Sequence, residues 1–162
     1  MKALNQPFQL TSTQKWNNIW YGVAAVLAVF VLAMIVGNMD IDESTMGTVI
    51  LIVFGLLTGV TLRLGTKRGW TYHAAQCQSS APYVFTKELK LGVLWRVLAV
   101  WFGGRVVSAI LLNQADSDMS MALLMLVSIA LVVAVALYVG LRFGWRSADT
   151  RLPSTVPATP SL

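Results

Sequence analysis

The chain has 162 residues, 56% of them hydrophobic and only 12% charged, with a net charge of +5 and a pI near 9.7. A soluble domain carries about 25% charged residues, and here the apolar residues come in long blocks, so composition excludes an ordinary water-soluble fold. The basic residues flank those blocks as orientation signals do, so no nucleic-acid partner is expected, and the single cysteine, Cys77, excludes an internal disulfide and an all-cysteine metal site.

Residues 1–18 form a polar N-terminal segment with Lys2 and Lys15 and no acid. Pro7 and the Thr-Ser-Thr run at 11–13 argue against a long helix there, and Thr13 is placed to cap one beginning near Lys15. The first span is expected over 19–37. A signal-peptide core is only about 7–15 residues long and ends in a small-x-small cleavage site. This block exceeds that length and runs on through Met34, Ile35 and Val36, so it reads as a retained helix. Trp16, Trp20 and Tyr21 sit at its start, where amphipathic rings favour the headgroup level.

The turn that follows holds Asp40, Asp42 and Glu43 and no base. A second span is expected over 46–63, with Gly55 and Gly59 in the GxxxG spacing that lets helix backbones approach closely. Residues 64–90 read as a long cytoplasmic loop, carrying Lys67, Arg68, Lys87 and Lys90 together with Trp70, Tyr72, His73 and Cys77. The third span, 91–112, holds Arg96 and Arg105 and the Gly103-Gly104 pair. A second acidic turn carries Asp116 and Asp118. The fourth span, 119–142, continues a small-residue series at Ala136, Gly140 and Gly144. Residues 147–162 are rich in Pro, Ser and Thr and read as a disordered cytoplasmic tail after a transmembrane domain at 19–146.

The N-terminal segment, the 63–90 connection and the chain from Arg142 into the tail carry ten of the twelve basic residues, whereas the two turns hold five of the seven acids and no base. The positive-inside rule then places both termini and the long connection in the cytoplasm. The expected fold class is an all-α membrane protein, a four-transmembrane-helix bundle, N-in/C-in, with a bacterial inner membrane as the expected setting.

The two halves resemble each other. Lys15, Trp20 and Asn38 recur 75 positions later as Lys90, Trp95 and Asn113, and Leu62-Arg63-Leu64-Gly65 resembles Leu141-Arg142-Phe143-Gly144. The chain would thus be two parallel helical-hairpin repeats related by an axis along the membrane normal. The competing explanation is that any two in-out-in hairpins share basic ends, aromatic anchors and polar turns, because insertion itself selects them.

An arginine inside hydrocarbon costs about 2.5–3.5 kcal/mol on insertion scales, so Arg96 and Arg105 are the candidate functional residues. Arg96 lies about 8 Å inside the basic end of its span and can snorkel back toward Lys90. Arg105 lies about 10 Å from the opposite end, within reach of the acidic turns. Nine residues apart, the two face opposite sides of the helix. His73 and Cys77 share a helical face at i, i+4 but lack a second pair of metal ligands, so no metal is expected. No intramembrane acidic pair, paired histidines or phosphate loop is present, so neither a catalytic site nor a cofactor is expected.

The function expected is that of a non-catalytic accessory, regulatory or immunity-type subunit acting by helix packing. Its expected partners are membrane lipids and another membrane protein or a second copy of itself. Gly55, Gly59, Gly103, Gly104, Ala136, Gly140 and Gly144 are the candidate helix interface, and Lys67, Arg68, Trp70, Tyr72 and His73 the candidate cytoplasmic contact. The alternative is a homo-oligomeric channel or small transporter with Arg105 in the path of an anionic or small polar solute. A third class, an enzyme acting on lipid headgroups, would need Tyr72, His73 and Cys77 gathered against the arginines.

Overall fold

The computed structural model of the chain describes residues 8–37, 42–77, 79, 81–113 and 118–152. Their regular structure is four α-helices: α1 (Ser12–Gly37), α2 (Glu43–Gln76), α3 (Lys87–Leu112) and α4 (Asp118–Asp149). All four are long and apolar enough to cross a membrane. Asp40 and Asp116 of the acidic turns, and residues 153–162 of the tail, lie outside the described residues.

Local chemistry sets the helix ends. Thr11 and Gln14 form a reciprocal capping box: the Gln14 amide donates to Thr11 Oγ1 at 3.3 Å and the Thr11 amide to Gln14 Oε1 at 3.0 Å. The helix therefore starts at Ser12, one turn before the expected start near Lys15, with Thr11 and not Thr13 as its cap. Asp42 caps α2 by accepting from the Thr45 amide at 3.0 Å.

The larger departure from expectation is at the other end of α2. Residues 64–76, expected as loop, continue the helix for more than three turns, so only residues 77–86 separate it from α3. α4 likewise runs past 142 to Asp149, and Leu152 beyond it packs on a buried cluster, so the first residues assigned to a disordered tail are ordered. At 1.5 Å per residue, the 34 residues of α2 span about 51 Å against a hydrocarbon thickness of about 30 Å.

Contact between α2 and α4 accounts for the extra length. These two helices form the most extensively packed pair, and α1 and α3 each lean on both of them from opposite flanks without touching one another among the described residues. At the centre of the pair the backbones themselves meet. A Cβ added to Gly65 would stand 2.8 Å from the Leu137 carbonyl oxygen and 3.2 Å from Gly140 Cα, and one added to Gly140 would stand 2.5 Å from the Leu62 carbonyl oxygen. One turn further on, a Cβ on Gly69 would collide with the Leu141 carbonyl and one on Gly144 with the Thr66 carbonyl. Ala136 is fully buried one turn before Gly140 and joins Leu62 and Val93 in a core cluster.

These contacts are reciprocal under a shift of 75 residues. Gly65 meets residues 137, 140 and 141, and Gly140 meets residues 62, 65 and 66. The matching segments are Gly65-Thr66-Lys67-Arg68-Gly69-Trp70 and Gly140-Leu141-Arg142-Phe143-Gly144-Trp145, and both tryptophans are buried. The pairing of Leu62–Gly65 with Leu141–Gly144 is thus out of register by four: Gly65 corresponds to Gly140, not to Gly144.

Gly55 and Gly59 take no part in this approach. A Cβ on Gly55 would meet only the Trp101 ring at ordinary distance, 3.6 Å, and one on Gly59 would meet nothing within 4 Å. The Ser108 and Ser128 hydroxyls hydrogen-bond across α3 and α4, and buried Thr58 and Thr66 satisfy theirs on the carbonyls of Phe54 and Leu62 in their own helix, each at 2.8 Å. The glycine contacts predict a clear contrast. Gly69→Ala and Gly144→Ala should each lower stability by about 1–3 kcal/mol, the cost of overpacking. Gly59→Ala should be neutral or raise stability by up to about 1 kcal/mol through helix propensity. Thermal unfolding in detergent micelles followed by circular dichroism reads both.

Candidate functional site at the basic end

The start of α1, the end of α2, the start of α3 and the end of α4 converge at one end of the bundle, where side-chain contacts tie each to another. Nine of the described basic residues lie there, against two acids, Glu88 and Asp149. Glu88 Oε2 accepts from Arg151 at 2.8 Å, and the same guanidinium donates to Thr86 Oγ1 at 2.9 Å. This pair is exposed and contributes little.

Asp149 faces inward. His73, only 2% exposed, puts Nε2 3.3 Å from Asp149 Oδ1 and Nδ1 3.7 Å from Cys77 Sγ, and its ring stands edge-on to Trp145 at 4.9 Å. With the ring proton on Nε2, that nitrogen donates to the carboxylate and Nδ1 accepts from the thiol. The two partners lie on opposite sides of the imidazole, so His73, Cys77 and Asp149 do not converge on one point, and no group of three metal-capable side chains occurs among the described residues. His73 acts instead as a bolt between α2 and α4.

Arg68 does the same for α1. Its Nη1 donates to Asn18 Oδ1 at 3.0 Å, and its guanidinium lies 3.2 Å over the Tyr21 ring. Tyr72 OH donates to the same Asn18 oxygen at 3.5 Å. From the N-terminal side, Phe8 reaches α4, edge-on to Trp145 at 5.3 Å and to Tyr138 at 6.2 Å. Of the five residues expected to meet a cytoplasmic partner, only Lys67 is exposed. Trp70 and His73 are buried in the bundle, and Arg68 and Tyr72 are engaged with α1. The reason is the helical continuation of α2, which turns one face of residues 64–76 onto α4.

Tyr83, in the 77–86 connection, packs between Trp70 at 5.8 Å and Phe85 at 6.1 Å, and its hydroxyl is buried without a hydrogen-bond partner among the described residues. Burial pushes its phenol above the ordinary value, with Arg63 pulling the other way.

The two arginines of the apolar helix α3 are separated as their spacing requires. Arg96 turns back toward the basic end: Nη1 donates to the Gly92 carbonyl at 2.8 Å and the guanidinium lies 3.6 Å over Phe143 of α4. Arg105 is exposed on the outer face of α3, in line with exposed Phe102, Val106 and Ile110. Gly103 is open, with nothing within 4 Å of a Cβ, whereas a Cβ on Gly104 would stand 2.6 Å from Val132 Cγ2. Arg96, Gly103 and Gly104 line a groove between α3 and α4, and Arg105 is outside it.

Asn18, Phe143, Trp145 and Asp149 did not emerge from the sequence as site residues. The signal for Trp145 was present in the repeated Gly-x-x-x-Gly-Trp at a 75-residue spacing. The other three are partners that only tertiary contact reveals. The chain matches no protein-family model, no curated protein and no solved structure.

Two outcomes follow for this end of the bundle. His73→Ala, which removes the link to Asp149 and the contact with Trp145, should lower stability by about 2–3 kcal/mol, and His73→Gln, which keeps a donor, should lower it less. Chemical unfolding in micelles measures the difference. Because the Tyr83 phenol is raised in the folded state, the unfolded chain loses that proton first, so its contribution to stability is intact below about pH 10 and falls as pH rises beyond it. Melting curves from pH 8 to 11 should therefore fall more steeply for the wild type than for Tyr83→Phe.

Proposed function

We propose that the chain is a multi-pass integral membrane protein of a bacterial inner membrane with both termini in the cytoplasm, built from two parallel hairpin repeats. In this reading it acts without catalysis, as an accessory, regulatory or immunity-type subunit that works by helix packing. Four apolar helices of spanning length and the collection of basic residues at one end support the topology. Reciprocal α2 and α4 contacts at a 75-residue shift support the repeats.

The observation that carries the functional reading is the position of Arg105. It stands on the side of α3 turned away from the bundle, in an apolar stripe, and makes no ion pair among the described residues. A cation in such a place is stable when the headgroups at the near end or a carboxylate on another membrane protein complete it. Its counterpart at the 75-residue shift is Phe30, so the bundle itself has no need of a charge there. The channel alternative has less support, since the groove present is lined by Arg96 and apolar side chains and excludes Arg105.

Purification of the tagged chain in mild detergent, with mass spectrometry of what accompanies it, tests the reading. A stoichiometric foreign membrane subunit, lost in Arg105→Ala while the chain itself stays folded, is expected. A pure homo-oligomer that conducts ions or anions in liposomes would overturn it in favour of the channel.

A further inference from the structure

The groove between α3 and α4 is a recess of about 350 Å³. It runs from Arg96 through Gly103 to Val107 on α3, and between Val139 and Leu131 on α4. The twelve residues from Arg96 to Val107 rise about 16 Å, which is close to half of a hydrocarbon core about 30 Å thick. The groove is thus one leaflet deep, apolar along its length, and headed by a cation.

That cation is held ready. One Arg96 N–H is used by the Gly92 carbonyl and one face lies on Phe143, which leaves the remaining donors of a five-donor guanidinium for another ligand. Gly92 makes room for the arrangement, since a Cβ there would stand 2.6 Å from the Phe143 ring. Arg146 lies three residues beyond Phe143 on the same helix, beside the ring that Arg96 covers, and no described carboxylate pairs with either. The equivalent place in the first half lacks the room. There Arg68 over Tyr21 heads a cleft of only about 30 Å³.

We infer that the α3/α4 groove is a binding site for one anionic phospholipid of the leaflet at the basic end, its phosphate on Arg96 and Arg146 and one acyl chain along the Gly103 notch. A zwitterionic lipid fits the same groove but brings its own cation to a site that already has two. The inference rests on the membrane-spanning reading, which is checked separately by the chain's resistance to alkaline carbonate extraction.

The test offers the purified full-length chain an equimolar mixture of phosphatidylglycerol and phosphatidylcholine with identical acyl chains and counts retained lipids by native mass spectrometry. The wild type should retain phosphatidylglycerol at least fivefold over phosphatidylcholine. Arg96→Gln should bring the ratio near one, and Arg146→Gln should lower it part of the way. Gly103→Leu fills the groove from a position with nothing within 4 Å, so it should fold and lose retention of both lipids. A wild-type ratio near one overturns the inference. So does a preference that survives Arg96→Gln, which would assign it to the general positive charge of the basic end, and so does wild-type retention by Gly103→Leu.

Discussion

Everything in this bundle depends on the distance at which α2 and α4 can approach. In a bilayer the lipid tails are as apolar as leucine, so apolar side chains alone give two helices little reason to associate, and close packing of backbones supplies it. Gly65 and Gly69 on one helix and Gly140 and Gly144 on the other remove the side chains that would hold those backbones apart. Because α1 and α3 each rest on both members of this pair, the central contact fixes where the flanking helices lie. It also fixes which faces of α2 and α4 turn inward beyond the apolar spans, and so buries Trp70, His73 and Trp145.

The bundle's polar contacts are then arranged by that burial. His73 would be costly in an apolar interior without partners, and it has one on each ring nitrogen. Asn18 is buried at the start of α1, and its oxygen is answered by Arg68 and Tyr72. The contacts of His73 with Asp149 and of Asn18 with Arg68 and Tyr72 cross between helices, so the basic end is held by directional bonds where the spans are held by shape. The two arginine-on-ring contacts show the same logic with roles exchanged: α2 supplies the cation and α1 the ring in the first half, and α3 the cation and α4 the ring in the second.

Four apolar blocks and the segregation of charge made the helix number legible in the sequence, because length and hydropathy are properties of a segment by itself. The helix ends were less legible. Residues 64–76 contain Gly65, Thr66, Gly69 and Thr71, poor company for an isolated helix, and they are helical because α4 supplies a surface against which to pack. The same cause hid the closest helix contact. Gly55 and Gly59 lie within an apolar block and attract attention there, whereas Gly65 and Gly69 lie past its end, and only their opposite numbers on α4, Gly140 and Gly144, were selected. The spacing of Arg96 and Arg105 did foretell opposite faces, since helical period needs no tertiary information. Which of them borders the groove depended on how α3 rotates against α4.

The seat of Phe8 carries an implication for how the chain is made. This residue precedes α1, yet its ring rests on Tyr138 and Trp145, near the close of α4. The partner surface of Gly65 and Gly69 likewise belongs to the last helix. During synthesis α1, α2 and α3 are therefore made before the surface that covers their tightest interface. Phe8 reaches its resting place only after α4 has been made. Closure of the basic end waits for α4, and a chain truncated before it has neither a spine nor a place to fasten Phe8.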